Sequence, residues 1–135
     1  MKYQTINIKT RSHTELLDIT DHVHKFIKDN QIQQGVCMIY VPHTTAAVTI
    51  NENADPSVRQ DVLMVVNNII PLNNSAYKHL EGNSAAHIKS ILIGASQLVP
   101  VQDSKLDLGT WQGIFFCEFD GPRNRKFSIQ MLACQ

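Results

Sequence analysis

Apolar and polar residues alternate from Tyr3 through Ile6 and Ile8 to Thr10, the period of a strand with one face toward a core. Residues 15–19 predict a second strand. Thr20 and Asp21 then read as caps of a short helix whose Val23, Phe26 and Ile27 fall at i, i+3 and i+4, ending near Asn30. The run 36–41 is almost continuously apolar and bounded by Gly35 and Pro42, which predicts a central strand rather than a helix. Asp55 and Pro56 mark the next helix start, because the carboxylate accepts an orphan amide and proline suits the first turn. Val58, Val62, Val65, Val66 and Ile69 form the stripe expected to be buried, and Pro71 stops the helix. A polar loop over 71–83 leads to a third helix, begun by Asn83 or Ser84 and ended by Gly94. Strands follow at 97–101, 109–120 and 127–134, the middle one long enough to bend. Without a regular βαβ repeat, the pattern predicts a single α+β domain over 1–135, with a mixed, mostly antiparallel sheet and about three helices.

The length of 135 residues suits one core, and 12 basic side chains balance 12 acidic ones. A neutral chain exerts no global pull on nucleic acid or an anionic membrane, so any anion site must be local. No stretch approaches the ~20 apolar residues of a membrane span. The start lacks the apolar core of a signal peptide, and a cytoplasmic location is expected. Cys37, Cys117 and Cys134 each sit in an apolar run and read as reduced core thiols; no CxxC pair offers a zinc site.

Residues 43–55 break the apolar logic. His43, Thr44, Thr45, Asn51, Glu52, Asn53 and Asp55 crowd the two ends of a short strand-like stretch, where buried polar groups cost free energy unless paired. Two later runs have the same character, 79–89 with His79, Glu81, Asn83, Ser84 and His87, and 109–123 with Glu118, Asp120 and Arg123. His43 reads as a metal ligand, an acid/base group, or a strand-end imidazole bonded to backbone. His79, Glu81 and His87 suit zinc by residue type, although their spacing matches no zinc signature; phosphate oxygens with carboxylates would suit magnesium. Asn83 and Ser84 stand at a helix N-terminus, which favours an anion. Lys89 diverges from His87 by about 200° on a helix and reads as solvated or interfacial. Arg123 offers a planar fork to phosphate, with Arg125 and Lys126 as a basic rim; Asp120 reads as an ion-pair partner of Arg123 or Arg125.

The three runs, H-T-T-A-A-x-T-I-N-E-N-x-D-P, E-G-N-S-x-A-H-I-K and L-G-T-W-Q-G-I-F-F-C-E-F-D-G-P-R, make the chain resemble the YjbQ-like family of secondary thiamine-phosphate synthases over nearly its whole length. The resemblance implies a compact α+β subunit, a homotrimer and a thiamine-phosphate synthase activity, in which a pyrimidine pyrophosphate joins a thiazole phosphate and pyrophosphate is released. On this reading a divalent metal ion, zinc or magnesium, is held by His43, His79 and His87. His43, Glu52, Asp55, Glu81 and Glu118 are catalytic candidates, while Thr44, Thr45, Asn83, Ser84 and Arg123 contact the small phosphorylated substrate. Alternatives are a metal-dependent phosphohydrolase and a metal- or phosphometabolite-binding module without turnover. Strand alternation also sends Trp111, Phe115 and Phe119 to one face and Phe116 and Glu118 to the other, so both faces need cover, part of it expected from a partner subunit.

Overall fold

The apolar runs fold into two stacked antiparallel sheets, seen in a computed structural model that describes residues 2–132. In chain order the elements are β1 (Tyr3–Lys9), β2 (Glu15–Asp18), α1 (Thr20–Asp29), β3 (Gly35–Tyr40), β4 (Ala46–Glu52), α2 (Pro56–Ile69), α3 (Ser84–Ile93), β5 (Ser96–Gln102), β6 (Lys105–Leu106), β7 (Gln112–Glu118) and β8 (Asn124–Leu132). The larger sheet has the order β1-β8-β3-β5-β6 and the smaller β2-β7-β4. The apolar run of β3 is therefore central, as its composition predicts. The expected single mixed sheet is instead two sheets in which every pairing is antiparallel. The division follows from the chain between β3 and β4, where Pro42 ends one strand and the next begins in the other sheet.

The core lies between the sheets. Cys37, Ile39, Val99, Phe127 and Ile129 of the large sheet join Val48, Ile114 and Phe116 of the small one, with Val23, Phe26 and Ile27 of α1 in the same cluster. Each fully buried phenylalanine contributes about 1.5–3 kcal/mol by burial. A second, smaller cluster on the outer face of the small sheet unites Ala47, Cys117 and Phe119 with Ala86 of α3. Both faces of β7 are thus covered inside the chain, and its aromatic residues require no partner subunit, in contrast to the sequence expectation. Trp111 differs, at 63% exposure before β7 begins.

The sequence stripe of α2 fails in an instructive way. Asp55 caps the helix as expected, its side chain accepting from the Ser57 amide at 2.9 Å, yet none of the helix residues is buried. Ile69 is 71% exposed and Val65 is also open to solvent. Arg59 and Leu63 face the sheet in their place, a roll of roughly 50° at about 100° per residue. Lys89 likewise reverses its expected role: it is 3% exposed, donates to Asn67 Oδ1 at 2.6 Å and lies 5.8 Å from the Phe119 ring. Its ammonium is drawn below the usual lysine range by burial.

Burial pushes the thiols of Cys37 and Cys117 up to about 12, which agrees with their reading as reduced core residues; Cys134 lies outside the described residues. Neither thiol should react with iodoacetamide in the native protein at mildly alkaline pH, and both should react in urea, as peptide mass mapping would record. A second expectation concerns Gly121. A Cβ there would meet the Ser12 carbonyl oxygen, Glu118 Cγ at 2.7 Å and Thr10 Oγ1 at 2.9 Å. Gly121→Ala should cost about 1–3 kcal/mol in a urea unfolding experiment, because backbone must move to admit the methyl group.

Candidate functional site

His43 hangs from the segment that carries the chain between the two sheets. Its Nε2 lies 3.0 Å from the Lys126 amide nitrogen of β8, and its ring stands edge-on to Phe116 at 6.4 Å. Nε2 also lies 3.1 Å from the Lys126 carbonyl oxygen, so it accepts from the amide in one tautomer and donates to the carbonyl in the other, while Nδ1 has no partner among the described residues. Burial, and then the Arg125 charge, hold the imidazole below its usual value. His43 is therefore a neutral N–H donor at pH 7.

The other two candidate histidines, His79 and His87, meet at the start of α3. The ring centroids of His79 and His87 are 5.3 Å apart in an edge-to-face pair, and His79 Nε2 is 3.9 Å from Glu81 Oε2. Helical spacing puts Ser84, His87, Ile88 and Ile91 on the outward face of α3, while Ala85, Ala86 and Lys89 turn inward. Three open concavities follow. The first, about 520 Å³, includes Tyr77, His79, Ser84 and His87; the second, about 430 Å³, includes His87, Ser90, His43 and Thr44. The third, about 530 Å³, has Asn7, Lys9, His43, Asn124, Arg125 and Lys126. His87 lines the first two and His43 the last two, so the three are neighbours along one histidine-linked surface, here called the groove.

The basic end of this groove is what the linear sequence hides. Register pairs Asn7 with Lys126 and Lys9 with Asn124, so residues more than a hundred positions apart share one face of the β1/β8 ladder. The sequence contains no local signal for that pairing. Metal ligation fares differently. Among the described residues no three His, Cys, Asp or Glu side chains gather as an ion would need, so His43, His79 and His87 are not brought together as one ligand set.

Several other candidates are engaged elsewhere. Glu118 is 0% exposed and receives Thr10 Oγ1 at 2.6 Å, Arg125 Nε at 2.9 Å, Arg125 Nη2 at 2.5 Å and the Asp120 amide at 3.0 Å. Burial pushes its carboxyl up, but the bonds from Arg125, Thr10 and Asp120 outweigh it and leave the pKa lowered. This carboxylate ties the two sheets together and is closed to substrate. Thr45 is also buried, its hydroxyl accepting from Arg125 Nη2 at 2.8 Å. Arg123 spends its fork on its own loop, donating from Nε to the Asp120 carbonyl at 2.7 Å and from Nη2 to the Asp120 carboxylate at 2.8 Å. Asn83 donates to the same carboxylate at 2.9 Å, and His13, absent from the sequence candidates, stands 3.9 Å from it. Desolvation raises the Asp120 pKa, but Asn83 and Arg123 prevail and lower it. Asp55 serves as a helix cap, and the Ser57 amide holds its pKa below the usual range. Glu52 lines a separate cavity beneath α2.

Residues 4–134 match the family described as UPF0047 protein YjbQ-like. The chain belongs to the YjbQ-like family. A UPF0047 protein of Methanocaldococcus jannaschii is 53% identical over 131 residues, covering 97% of this chain and 92% of the relative. The UPF0047 protein YugU of Bacillus subtilis is 50% identical over 129 residues, with 96% and 98% covered. A crystal structure of a YjbQ/UPF0047 protein from Clostridium acetobutylicum superposes with a TM-score of 0.93 at 45% identity, covering 96% of this chain and 99% of that one. A structure from Sulfolobus solfataricus, described as of unknown function, also reaches 0.93 at 34% identity, covering 98% and 97%. The YjbQ-like chain thus has a fold shared across bacteria and archaea. Among its described residues no helix is long and apolar enough to cross a membrane.

Proposed function

We propose that this YjbQ-like chain acts in its histidine-linked groove as a thiamine-phosphate synthase, joining a pyrimidine pyrophosphate to a thiazole phosphate. The observation that carries this reading is the adjacency of three concavities that share His87 and His43 and end at Lys9 and Lys126. Such a surface places imidazoles at its centre and cations at one end, which matches a substrate with a heterocyclic body and an anionic tail.

In the reaction the thiazole nitrogen lone pair forms a C–N bond at the pyrimidine methylene carbon. The C–O bond to pyrophosphate breaks, and its electron pair leaves with the pyrophosphate. No proton must move in that step, so the task of the side chains is electrostatic. Lys9 and Lys126 neutralise the departing anion, and His43, in the tautomer whose Nε2 accepts from the Lys126 amide, donates to it from Nδ1. His79 and His87 form the wall for the heterocycle, and Ser84 supplies a hydroxyl beside them. These roles belong to side chains that line the groove; among the described residues no set of metal ligands meets.

A homotrimer with the groove near a subunit boundary belongs to the same proposal. Ile91, which lines the middle of the groove, is 80% exposed, and Leu92 beside it is also open to solvent, an apolar surface that favours cover by another copy. Light scattering should give the mass of three 15.2-kDa chains. Thiamine phosphate formed from the two precursors in proportion to protein, and lost with Lys126→Ala, supports the enzyme. A second reading, a binding module for a phosphorylated metabolite, is favoured by the commitment of Thr45, Glu118 and Arg123 to structural bonds. Stoichiometric pyrophosphate binding without product would select it.

A further inference from the structure

The space between α2 and the small sheet is a separate feature that the groove does not use. It is a cavity of about 110 Å³ lined by Val58, Val62, Leu63 and Val66 of α2 with Phe115 and Phe119 below. It shares no lining residue with the groove. Arg59 reaches into it. The guanidinium carbon lies 5.0 Å from the Phe115 ring centroid, and Nε is buried without a hydrogen-bond partner among the described residues.

We propose that this cavity binds a small organic monocarboxylate, its apolar body held beneath α2 and its carboxylate on the Arg59 fork. Three observations converge on that class. The walls are apolar side chains that a close-packed protein would bring together, yet α2 stands off the sheet with none of its residues buried. The cation over Phe115 has a buried donor to satisfy, and a carboxylate matches the Nε–Nη edge with two parallel bonds. The volume is below the ~150 Å³ of an engineered cavity that takes benzene, which limits the ligand to a short aliphatic body. Glu52 also lines the cavity, and its charge opposes the ligand carboxylate that Arg59 must hold and excludes a second one. Phosphate, strongly hydrated and without an apolar body, suits these walls poorly.

The test uses 3-methylbutanoate and its neutral counterpart 3-methylbutanamide, titrated into full-length protein with labelled valine and leucine methyl groups. The carboxylate should give saturable shifts at Val58, Val62, Leu63 and Val66, and the amide should bind at least about ten-fold more weakly. Arg59→Met keeps an unbranched apolar side chain there and should remove the preference for the carboxylate. Leu63→Phe, checked for native fold by circular dichroism, should block both ligands by filling the space. Absence of saturable shifts in the wild type, equal affinity for acid and amide, or unchanged carboxylate binding in Arg59→Met would each overturn the proposal. None of these readouts depends on synthase activity, so this site and the groove stand or fall separately.

Discussion

His43→Ala should lower thiamine-phosphate formation by about 10²–10³-fold, the loss expected for one preorganised donor to a developing anion. The imidazole is well placed for that role because the Lys126 backbone anchors it through Nε2, which leaves Nδ1 open, and burial keeps it neutral. A mere cavity at this position would be felt through stability, whereas the proposed donor is felt in kcat, so the kinetics should be read beside an unfolding curve. The pH profile gives an independent check. With its pKa below the ordinary value of about 6.5, His43 is still mostly neutral at that pH and protonates only further down. Because the imidazolium donates to an anion at least as well as the neutral ring, protonation of His43 should not create an acid limb, and wild type and alanine variant should share the same acid side of the profile.

Arg125→Met should destabilise the protein by about 3–5 kcal/mol, since it strands the Glu118 carboxylate at 0% exposure without its cation. The loss is structural rather than catalytic, as Arg125 on β8 and Glu118 on β7 join the two sheets. The sign of its pH dependence follows from the folded state. In the wild type the Glu118 pKa lies below its ordinary 4.5, so its stabilisation is complete above that value and is lost as pH falls through the depressed one. In Arg125→Met burial prevails and raises the carboxyl pKa. The variant's deficit should be largest at neutral pH and shrink as the solution is acidified and Glu118 takes up a proton. Urea unfolding at several pH values measures both curves.

Much of the fold was legible because local chemistry and tertiary context agreed. Asp55–Pro56 opened α2, Gly94 closed α3, and the apolar run after Gly35 became the central strand. Periodicity gave the stripe of α2 but not its roll, because apolar side chains on adjoining faces leave several orientations of similar cost and packing against the sheet chooses among them. The candidate site was legible in part. His43, Thr44, Ser84 and both downstream histidines line the groove, whereas Thr45, Glu118 and Arg123 are equally polar in sequence and turn out to bind Arg125 or, for Arg123, its own loop. Residue type shows that a polar group needs a partner; only strand register shows whether that partner is protein. The same register brings Lys9 and Lys126 to the groove, information that no window of the sequence contains.

The central claim is that the histidine-linked groove receives the pyrophosphate group, and nitrogen-detected NMR of the imidazoles during titration with inorganic pyrophosphate tests it most directly. The account predicts saturable shifts of His43 Nδ1 and of the Lys126 amide, with the His13 ring beside Asp120 and Arg123 unmoved. Shifts centred on His13 and Arg123, with His43 unchanged at saturation, would contradict it.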